Sequence, residues 1–323
     1  MYPSYLNAYK NGTLAKATDD AMNLFESCCI CPRRCGVNRL KNEPGFCRTG
    51  RSPRVCSFLA HHGEEPPLSG TRGSGTIFFA NCNMACSYCQ NYEFSQLGQG
   101  REVSAEELAE MMLQLQKMRC HNINLVTPTH IMPQILQALK LAIKKGLNLP
   151  LCYNTGGYEL TEIIQLLEGI VDIYLPDMRY GDAEIAEKFS SAPDYPEYNQ
   201  KAIKEMYRQV GTARINAEGI IERGLIIRHL VLPNRQSGTE KIMRFIAEEV
   251  SRDTYISLMS QYLPLYQASK FKEISRRLKQ GEYAEAKEIM EKNGLSNGWI
   301  QDSYGLERFA GVHIKPSLKK DAD

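Results

Sequence analysis

The sequence predicts an α/β fold built as an open, partial TIM-like barrel of about six strand–helix units. Between residues 76 and 264, short apolar runs alternate with helical patterns, and such alternation favours parallel pairing of the strands. Six units are too few to close an eight-stranded barrel, so we expect an open sheet. An N-terminal arm with a cysteine-rich segment (1–75) precedes this region, and a helical extension (265–323) follows it. Residues 57–75, rich in Gly, Pro and Glu, are expected to form a solvated loop at the first boundary.

Six apolar runs are predicted to be the strands, and each of the first five precedes a helical pattern. The runs are residues 76–80, 122–126, 149–153, 171–175, 225–231 and 254–259. Ser104 and Glu107 predict a capping box at the start of the first helix, and residues 237–240 predict a second capped start. Residues 268–279 and 282–292 are predicted to form two amphipathic helices.

Composition limits the classes of function. The chain has 323 residues, of which 43% are hydrophobic and 24% are charged, with a formal net charge of +2. This balance gives no reason to expect nucleic acid or a membrane as a partner. No run approaches the roughly 18 apolar residues of a spanning helix, and the first residues lack the apolar core of a signal peptide. We therefore expect a cytoplasmic protein.

The most informative stretch is residues 81–91, directly after the first predicted strand. Cys82, Cys86 and Cys89 stand at spacings of four and three, with Tyr88 just before the last cysteine. Iron–sulfur cubanes normally take four cysteine ligands, so three on one loop leave one iron open to a further ligand. A structural zinc loop or free thiols would be the alternative, but zinc loops usually pair Cys-x-x-Cys with a second such pair.

This motif resembles the signature of radical S-adenosylmethionine (SAM) enzymes. Phe78, Phe79, Gln90 and Asn91 beside it, together with downstream segments, resemble the pyruvate formate-lyase activating enzyme-like branch. The resemblance implies a [4Fe–4S] cluster on the three cysteines as the catalytic centre, SAM on the open iron, and a 5′-deoxyadenosyl radical that abstracts hydrogen. It also implies a reductant such as flavodoxin or ferredoxin, an anaerobic setting, and a glycyl-radical enzyme or another protein as substrate.

Polar residues stand near the ends of the later predicted strands, where barrel-like α/β folds collect their chemistry. The resemblance implies that several of them contact SAM: Tyr88, Thr127, Thr129, His130, Asn154, Asp177, Arg179, Arg228 and Gln261. Arg179 would meet the SAM carboxylate with its planar fork. Related enzymes carry a Gly-Gly-Glu segment where this chain has residues 127–129. That glutamate is missing here, so neutral oxygens would hold the SAM ammonium.

Structural roles remain open for some of these residues. Thr129 could cap the following helix, and Asp177 with Arg179 could form a structural ion pair. The glycines at 156–157 could serve a tight turn. Arg228 lies inside an apolar strand and needs a partner, because an unpaired buried charge is costly. The SAM carboxylate is one candidate partner.

A second group of cysteines precedes the motif. Cys28, Cys31, Cys35 and Cys47 could supply four thiolates to a closed site, either tetrahedral zinc or a fully ligated iron–sulfur cluster. Buried free cysteines are the alternative. Cys29 could replace Cys28, while Cys56 has no assigned role, because the spacing does not decide either case.

Two further functions stay open. The protein could be a non-catalytic iron–sulfur or zinc protein for electron transfer or assembly, which explains the cysteines but not the polar strand ends. It could also be a radical SAM enzyme that acts on a small molecule.

Overall fold

A twisted sheet forms the centre of the protein in the computed structural model, which describes residues 2–301. The last part of the predicted helical extension, residues 302–323, lies outside the described residues. The strands are β1 (Arg54–His61), β2 (Ser74–Phe79), β3 (Arg101–Glu102), β4 (Ile123–Val126), β5 (Leu151–Thr155), β6 (Ile173–Pro176), β7 (Arg214–Ile215), β8 (Ile221–Leu230), β9 (Tyr255–Met259) and β10 (Gly298–Ile300). All ten belong to one sheet.

Helices follow most strands and cover the outside of the sheet. They are α1 (Tyr5–Lys10), α2 (Thr13–Asn23), α3 (Pro66–Ser69), α4 (Tyr92–Ser95), α5 (Ala105–Lys117), α6 (Met132–Lys144), α7 (Thr161–Gln165), α8 (Ala183–Ser190), α9 (Tyr195–Val210), α10 (Thr239–Phe245) and α11 (Gln280–Lys292). Across residues 2–301, every helix is too short or too polar to cross a membrane.

The strand order is β10-β9-β8-β6-β5-β4-β2-β1-β3, and β7 pairs with β8. The neighbours from β10 to β2 pair in parallel, whereas β1, β3 and β7 join antiparallel. This mostly parallel, open arrangement is the α/β partial barrel that the sequence predicts. Each of the six predicted strands begins within four residues of its expected start. Parallel pairing brings the C-terminal ends of the strands to one edge, where the candidate site lies.

Helix α6 illustrates how the sequence builds the outer layer. Pro133 lies in its first turn, where a missing backbone N–H costs nothing. Ile135, Leu136 and Leu139 recur at helical spacing and are at most 2% exposed. Burial of such a side chain contributes about 1.5–3 kcal/mol, so this stripe fixes the helix against the sheet. The predicted capping box at Ser104 is also present at the start of α5.

The N-terminal arm belongs to the same core as the barrel. Tyr5 and Leu14 are fully buried within the main apolar cluster, and the Tyr5 hydroxyl donates a hydrogen bond to the Leu149 carbonyl at 2.7 Å. Strand β1 pairs antiparallel with β2 on the edge of β2 that does not contact β4. The division of the chain at residues 75 and 264 remains a prediction.

The prediction of a loop over residues 57–75 is wrong for most of that range. The run Phe58-Leu59-Ala60 lies in β1 and pairs with β2, because an apolar strand can complete the sheet beside a buried neighbour. Helix α3 then uses two prolines at its start. His61 is buried, while His62 is exposed.

One helix prediction and one prediction of a helix cap also fail. Residues 268–279 form two short 3₁₀ turns, and the Ile274 carbonyl accepts a hydrogen bond from the Tyr262 hydroxyl at 2.5 Å. That tertiary bond occupies a carbonyl that an α-helix would use. The cap predicted at 237–240 is absent: Gly238 starts α10 in a left-handed conformation without a side-chain cap, and Ser237 accepts from the Leu232 amide instead.

Candidate active site

The three candidate cluster cysteines lie on one loop, residues 81–91, which we call the three-cysteine loop. It begins two residues after β2, where Asn81 adopts a left-handed conformation (φ 70°) and its side chain donates to Thr49 Oγ1 at 3.1 Å. Asparagine tolerates this conformation better than most residues. The loop also pairs with the end of α8, since the Ser87 amide donates to the Phe189 carbonyl at 2.7 Å. The sheet and α8 therefore hold the loop from two sides.

Each cysteine sulfur has a polar neighbour in this loop region. Cys82 Sγ accepts from the Met84 amide at 3.4 Å, Cys86 Sγ accepts from Ser190 Oγ at 3.0 Å, and Cys89 Sγ lies 3.0 Å from Ser95 Oγ. Hydrogen-bond donors near cluster thiolates are one means by which proteins tune iron–sulfur centres.

Burial raises the pKa of Cys82 to about 12 and that of Cys89 to about 11, while the positive charge of Arg179 acts in the opposite direction on both. Both thiols are therefore protonated at neutral pH until a metal displaces the protons, as expected of metal ligands. Three partly or fully buried thiols on one loop, beside a guanidinium, fit the ligand set that a [4Fe–4S] cluster requires.

A cavity of about 600 Å³ runs through the partial barrel. Cys89 and Tyr88 line it near the three-cysteine loop, and Asn154, Asp177, Arg179, Arg228 and Gln261 line its wall. Seven of the side chains singled out from the sequence thus face one space. Pockets of this size suit a drug-sized ligand.

Asp177 bridges the two arginines of the cavity. Its Oδ1 accepts from Arg228 Nε at 2.8 Å, and its Oδ2 accepts from Arg179 Nη2. Arg228 Nη2 also donates to Asn154 Oδ1 at 2.6 Å. The ion pair considered for Asp177 and Arg179 therefore exists, and the partner required by Arg228 is also Asp177. These contacts fix both guanidiniums at the wall of the cavity.

Tyr88, within the three-cysteine loop, and Gln261, after β9, connect this loop to neighbouring segments. Tyr88 is 2% exposed, and its ring packs edge-on against Tyr262 at 5.7 Å and Tyr180 at 6.3 Å. The backbone carbonyl of Gln261 accepts from the Gln90 side chain at 2.6 Å. This contact ties the end of β9 to the three-cysteine loop, although the two are far apart in sequence.

The segment after β4 carries three of the predicted SAM contacts, and these residues do not line the cavity. Thr127 is half-buried, whereas Thr129 and His130 are about 1% exposed, and none of the three lines the cavity. Thr129 Oγ1 donates to Glu159 Oε1 at 2.5 Å, and His130 Nε2 lies 3.0 Å from the Ala80 carbonyl. Burial lowers the pKa of His130 to about 3, so this imidazole is neutral.

Glu159, which the sequence analysis did not single out, is fully buried beneath this segment. Its Oε1 accepts from the hydroxyls of Thr129 and Thr155. Burial raises its pKa to about 7, although these hydrogen bonds favour the ionised form. Thr155 is the last residue of β5, four positions before Glu159, whereas Thr129 follows β4 and is 30 positions away.

The cysteine-rich segment packs against the three-cysteine loop. Arg33 Nε donates to the Asn83 carbonyl at 2.9 Å, and its guanidinium lies 3.8 Å from the centre of the Phe46 ring. Cys28, Cys31 and Cys47 are each at most 7% exposed. Burial raises the pKa of Cys31, and a negative charge on Cys47 or Cys28 would raise it further.

Cys35 is half-buried, and its sulfur accepts from the Phe46 amide at 3.3 Å. Cys29 and Cys56 are also half-buried free thiols. Within the part of the chain that the structure describes, no three His, Cys, Asp or Glu side chains form a group that could hold a single metal ion.

Glu64 and Glu65 are the cavity residues that sequence reasoning missed. Both line the cavity, and Glu64 Oε2 lies 3.6 Å from Arg228 Nη1. Two adjacent glutamates before two prolines favour a solvated loop, and Arg228, the partner of Glu64, is 164 residues away. The one available signal was Arg228 itself, an arginine in an apolar strand that required an acidic partner.

The comparisons with known proteins agree with this site. The family model of the Radical SAM superfamily matches residues 76–246. The chain is 33% identical over 299 residues to the uncharacterized protein MJ0674 of Methanocaldococcus jannaschii, a match that covers 90% of this chain and 82% of that protein.

Two solved structures are similar at low identity. A radical SAM methyltransferase from Sphaerobacter thermophilus has a TM-score of 0.48 and 15% identity, and the match covers 72% of this chain and 67% of that one. HydG, a maturase of the [FeFe]-hydrogenase, has a TM-score of 0.45 and 13% identity, with 68% and 48% covered. Because the family model spans more than half of the sequence and includes all three loop cysteines, this chain belongs to the radical SAM superfamily.

Proposed function

We propose that this protein is a radical SAM enzyme that binds a [4Fe–4S] cluster on Cys82, Cys86 and Cys89 and cleaves SAM reductively. When bound, the cluster and SAM would supply a 5′-deoxyadenosyl radical for hydrogen abstraction from a substrate. One observation carries the proposal: Cys89 lines the same cavity as Arg179 and Arg228. A molecule with a carboxylate could therefore approach the loop and two guanidiniums at once.

The arginines would bind the SAM carboxylate, and Asp177 would orient them. Arg179 is the better placed, because its charge acts on Cys82 and Cys89. A guanidinium suits this role, since its fork can donate two parallel hydrogen bonds to a carboxylate. Asp177 holds both guanidiniums in place before a ligand arrives, which reduces the ordering cost of binding.

The remaining polar residues would position SAM through neutral groups. Asn154 and Gln261 present amides to the cavity. Thr127 is the half-buried member of the segment after β4 and is available for a backbone or hydroxyl contact. Thr129 and His130 would act on SAM indirectly, by fixing the backbone of that segment through their own hydrogen bonds.

The buried aromatic residues would exclude water from the reaction. Tyr88 of the three-cysteine loop packs against Tyr180 and Tyr262, and all three are at most 2% exposed. Closed sites of this kind prevent side reactions of reactive intermediates with solvent.

For the substrate, we propose an activating-enzyme-like role on a glycyl-radical enzyme or another protein, with electrons from a flavodoxin or ferredoxin. This part rests on the motif resemblance. The cavity volume of about 600 Å³ favours a second candidate, a small-molecule substrate, because the space suits a ligand rather than a folded domain. A protein substrate would have to insert a short segment or a single side chain.

We further propose that Cys28, Cys31, Cys35 and Cys47 bind a second metal centre, either zinc or an iron–sulfur cluster. Burial of three of these thiols in one segment supports it. The sulfurs do not form a single-ion group in the described residues, so binding of a zinc ion would require the segment to rearrange. Elemental analysis of the Cys31→Ala variant should show one metal centre fewer than the wild type. Unchanged zinc and iron contents would contradict the second centre.

The main test is anaerobic reconstitution with iron and sulfide, followed by SAM and dithionite. Wild-type protein should release 5′-deoxyadenosine, and Cys82→Ala, Cys86→Ala and Cys89→Ala should each abolish its release. Cys56→Ala is the matched control, because Cys56 is a half-buried free thiol outside the loop. Equal release from the loop variants and the control would contradict the proposal.

Electron paramagnetic resonance separates the enzyme from a simple electron carrier. SAM should change the spectrum of the reduced cluster in the wild type, because SAM would occupy the open iron position. A cluster that forms normally, shows no change in its spectrum with SAM and yields no 5′-deoxyadenosine would indicate an electron-transfer or assembly protein instead.

A further inference from the structure

The loop at residues 63–65, which we call the floor loop, enters the cavity from the edge of the sheet opposite the three-cysteine loop. In the antiparallel pair of β1 and β2, His61 faces Ser74 at the start of β2, and Val55 faces Phe79 at its end. The floor loop therefore follows β1 at the N-terminal edge of the parallel strands. Its two glutamates still line the same cavity as Cys89.

The cavity wall holds more carboxyl groups than guanidiniums. The three carboxyl groups belong to Glu64, Glu65 and Asp177, and the two guanidiniums to Arg179 and Arg228. Asp177 already occupies both arginines at hydrogen-bond distance, whereas Glu64 reaches Arg228 only at 3.6 Å. Burial and the neighbouring Glu65 raise the pKa of Glu64, as expected where negative charge is in excess.

Glu65 is the carboxylate left without sufficient donors. It is 8% exposed, and no donor among residues 2–301 reaches its buried Oε2 within hydrogen-bond distance. A buried, unsatisfied carboxylate oxygen destabilises a protein, and a turn of the Glu65 side chain toward the cavity that it lines would let a ligand supply the missing partner. Trp299 lines the same cavity, and its ring packs against that of Tyr255 at 5.5 Å.

The arrangement of charges separates this acidic end from the end proposed for SAM. Arg179 acts on the sulfurs of the three-cysteine loop, Asp177 joins it to Arg228, and Arg228 feels the charges of Glu65 and Glu64. A SAM molecule at the open iron would lie between the three-cysteine loop and the two arginines. The floor loop then faces the part of the cavity left for a substrate.

We propose that the floor loop binds a cationic group of the substrate, an alkylammonium or a guanidinium, with Glu65 as the main acceptor and Glu64 as the second. This assignment rests on the proposed radical SAM function and specifies its substrate class. The cation could belong to a small amine or to a lysine or arginine side chain of a peptide, since both present the same group.

The test measures ligand binding by the reconstituted full-length protein without turnover. The probes are n-butylammonium, n-butylguanidinium and neutral n-butanol at constant ionic strength, followed by isothermal titration calorimetry. We expect the wild type to bind both cations and to bind n-butanol at least tenfold more weakly. Glu65→Gln should weaken cation binding about tenfold or more, whereas Glu162→Gln, at an exposed surface ion pair, should bind like the wild type.

Glu65→Asp keeps the proposal testable if the glutamine variant does not fold, because it should retain the preference for cations over n-butanol. Equal binding of cation and alcohol by the wild type, unchanged binding in Glu65→Gln, or competitive displacement of n-butylammonium by SAM would each overturn the cation site. Absence of 5′-deoxyadenosine in the turnover assay would instead count against the radical function alone. A capped Gly-Lys-Gly peptide that binds more tightly than n-butylammonium would identify a peptide as the source of the cation, and weaker binding would identify a small amine.

Discussion

Arg33 donates a hydrogen bond from Nε to the backbone carbonyl of Asn83 at 2.9 Å, and this contact joins the cysteine-rich segment to the three-cysteine loop. The same guanidinium donates to the Ser191 carbonyl at 2.5 Å, next to the end of α8. It also covers the face of Phe46. One side chain thus connects three segments around the candidate cluster site.

The first prediction concerns this contact. Arg33→Ala should lower the free energy of unfolding by about 2 kcal/mol or more, because hydrogen bonds from a charged group typically contribute about 1.5–3 kcal/mol. It should also reduce the iron retained after reconstitution, since the loop loses a support between Cys82 and Cys86. Arg34→Ala is the control: Arg34 pairs with Glu162 at the surface, and its loss should cost within about 1 kcal/mol. Urea unfolding and iron analysis of both variants provide the measurement, and equal effects would contradict the role of Arg33.

The second prediction concerns Asp177. Asp177→Asn should destabilise the protein by roughly 3 kcal/mol, because loss of a buried carboxylate leaves Arg179 and Arg228 without their shared partner. Thermal unfolding should show this loss, and SAM binding should weaken as the guanidiniums lose their orientation. Asp182→Asn removes an exposed pair with Lys241 and serves as the control. A variant at Asp177 as stable as this control would show that the buried network contributes little.

The third prediction is a dependence of stability on pH. The pKa of Glu159 is about 7 in the folded protein against an ordinary value of 4.5, so the folded state keeps a proton that the unfolded state releases. The contribution of this group to stability should therefore fall by an amount on the order of 3 kcal/mol as pH rises from about 5 to 7, whereas the buried His130, whose pKa is lowered, contributes in the opposite direction. Glu159→Gln cannot titrate and should remove this contribution, so the difference in stability between the variant and the wild type should change with pH in thermal unfolding at several pH values. Glu162→Gln, at an exposed site, should keep the wild-type slope, and an unchanged slope in Glu159→Gln would contradict the assignment.

The outline of the fold could be predicted because each central strand carries its own local signal. β2, β4, β5 and β6 are buried along their whole length, so their apolar runs stand out in the sequence. The strands at the edges of the sheet could not be predicted in the same way. β10 has three residues and depends on pairing with β9 for its existence.

The candidate site likewise contains residues that could be predicted from the local sequence and residues that could not. Cys82, Cys86 and Cys89 are close in sequence, so their spacing alone indicated shared chemistry. The burial of Glu65 could not be predicted, because it depends on a cavity formed by distant strands. Two adjacent glutamates in a sequence favour solvent exposure, and only the tertiary structure shows that Glu64 and Glu65 line a cavity.

The last prediction separates two adjacent glycines at the end of β5. Gly157 has a φ of 78°, and a Cβ there would overlap Asn199 Nδ2 and the Asp177 carbonyl, whereas a Cβ on Gly156 would meet Met84 Sδ at an ordinary 3.4 Å. Gly157→Ala should therefore cost about 3 kcal/mol through backbone strain and overlap, and it should displace Asp177 in the cavity. Gly156→Ala should change stability by less than about 1 kcal/mol, because its added methyl group meets only van der Waals contacts. Thermal unfolding of the two variants side by side gives the comparison, and equal stability would show that the turn tolerates a side chain at Gly157.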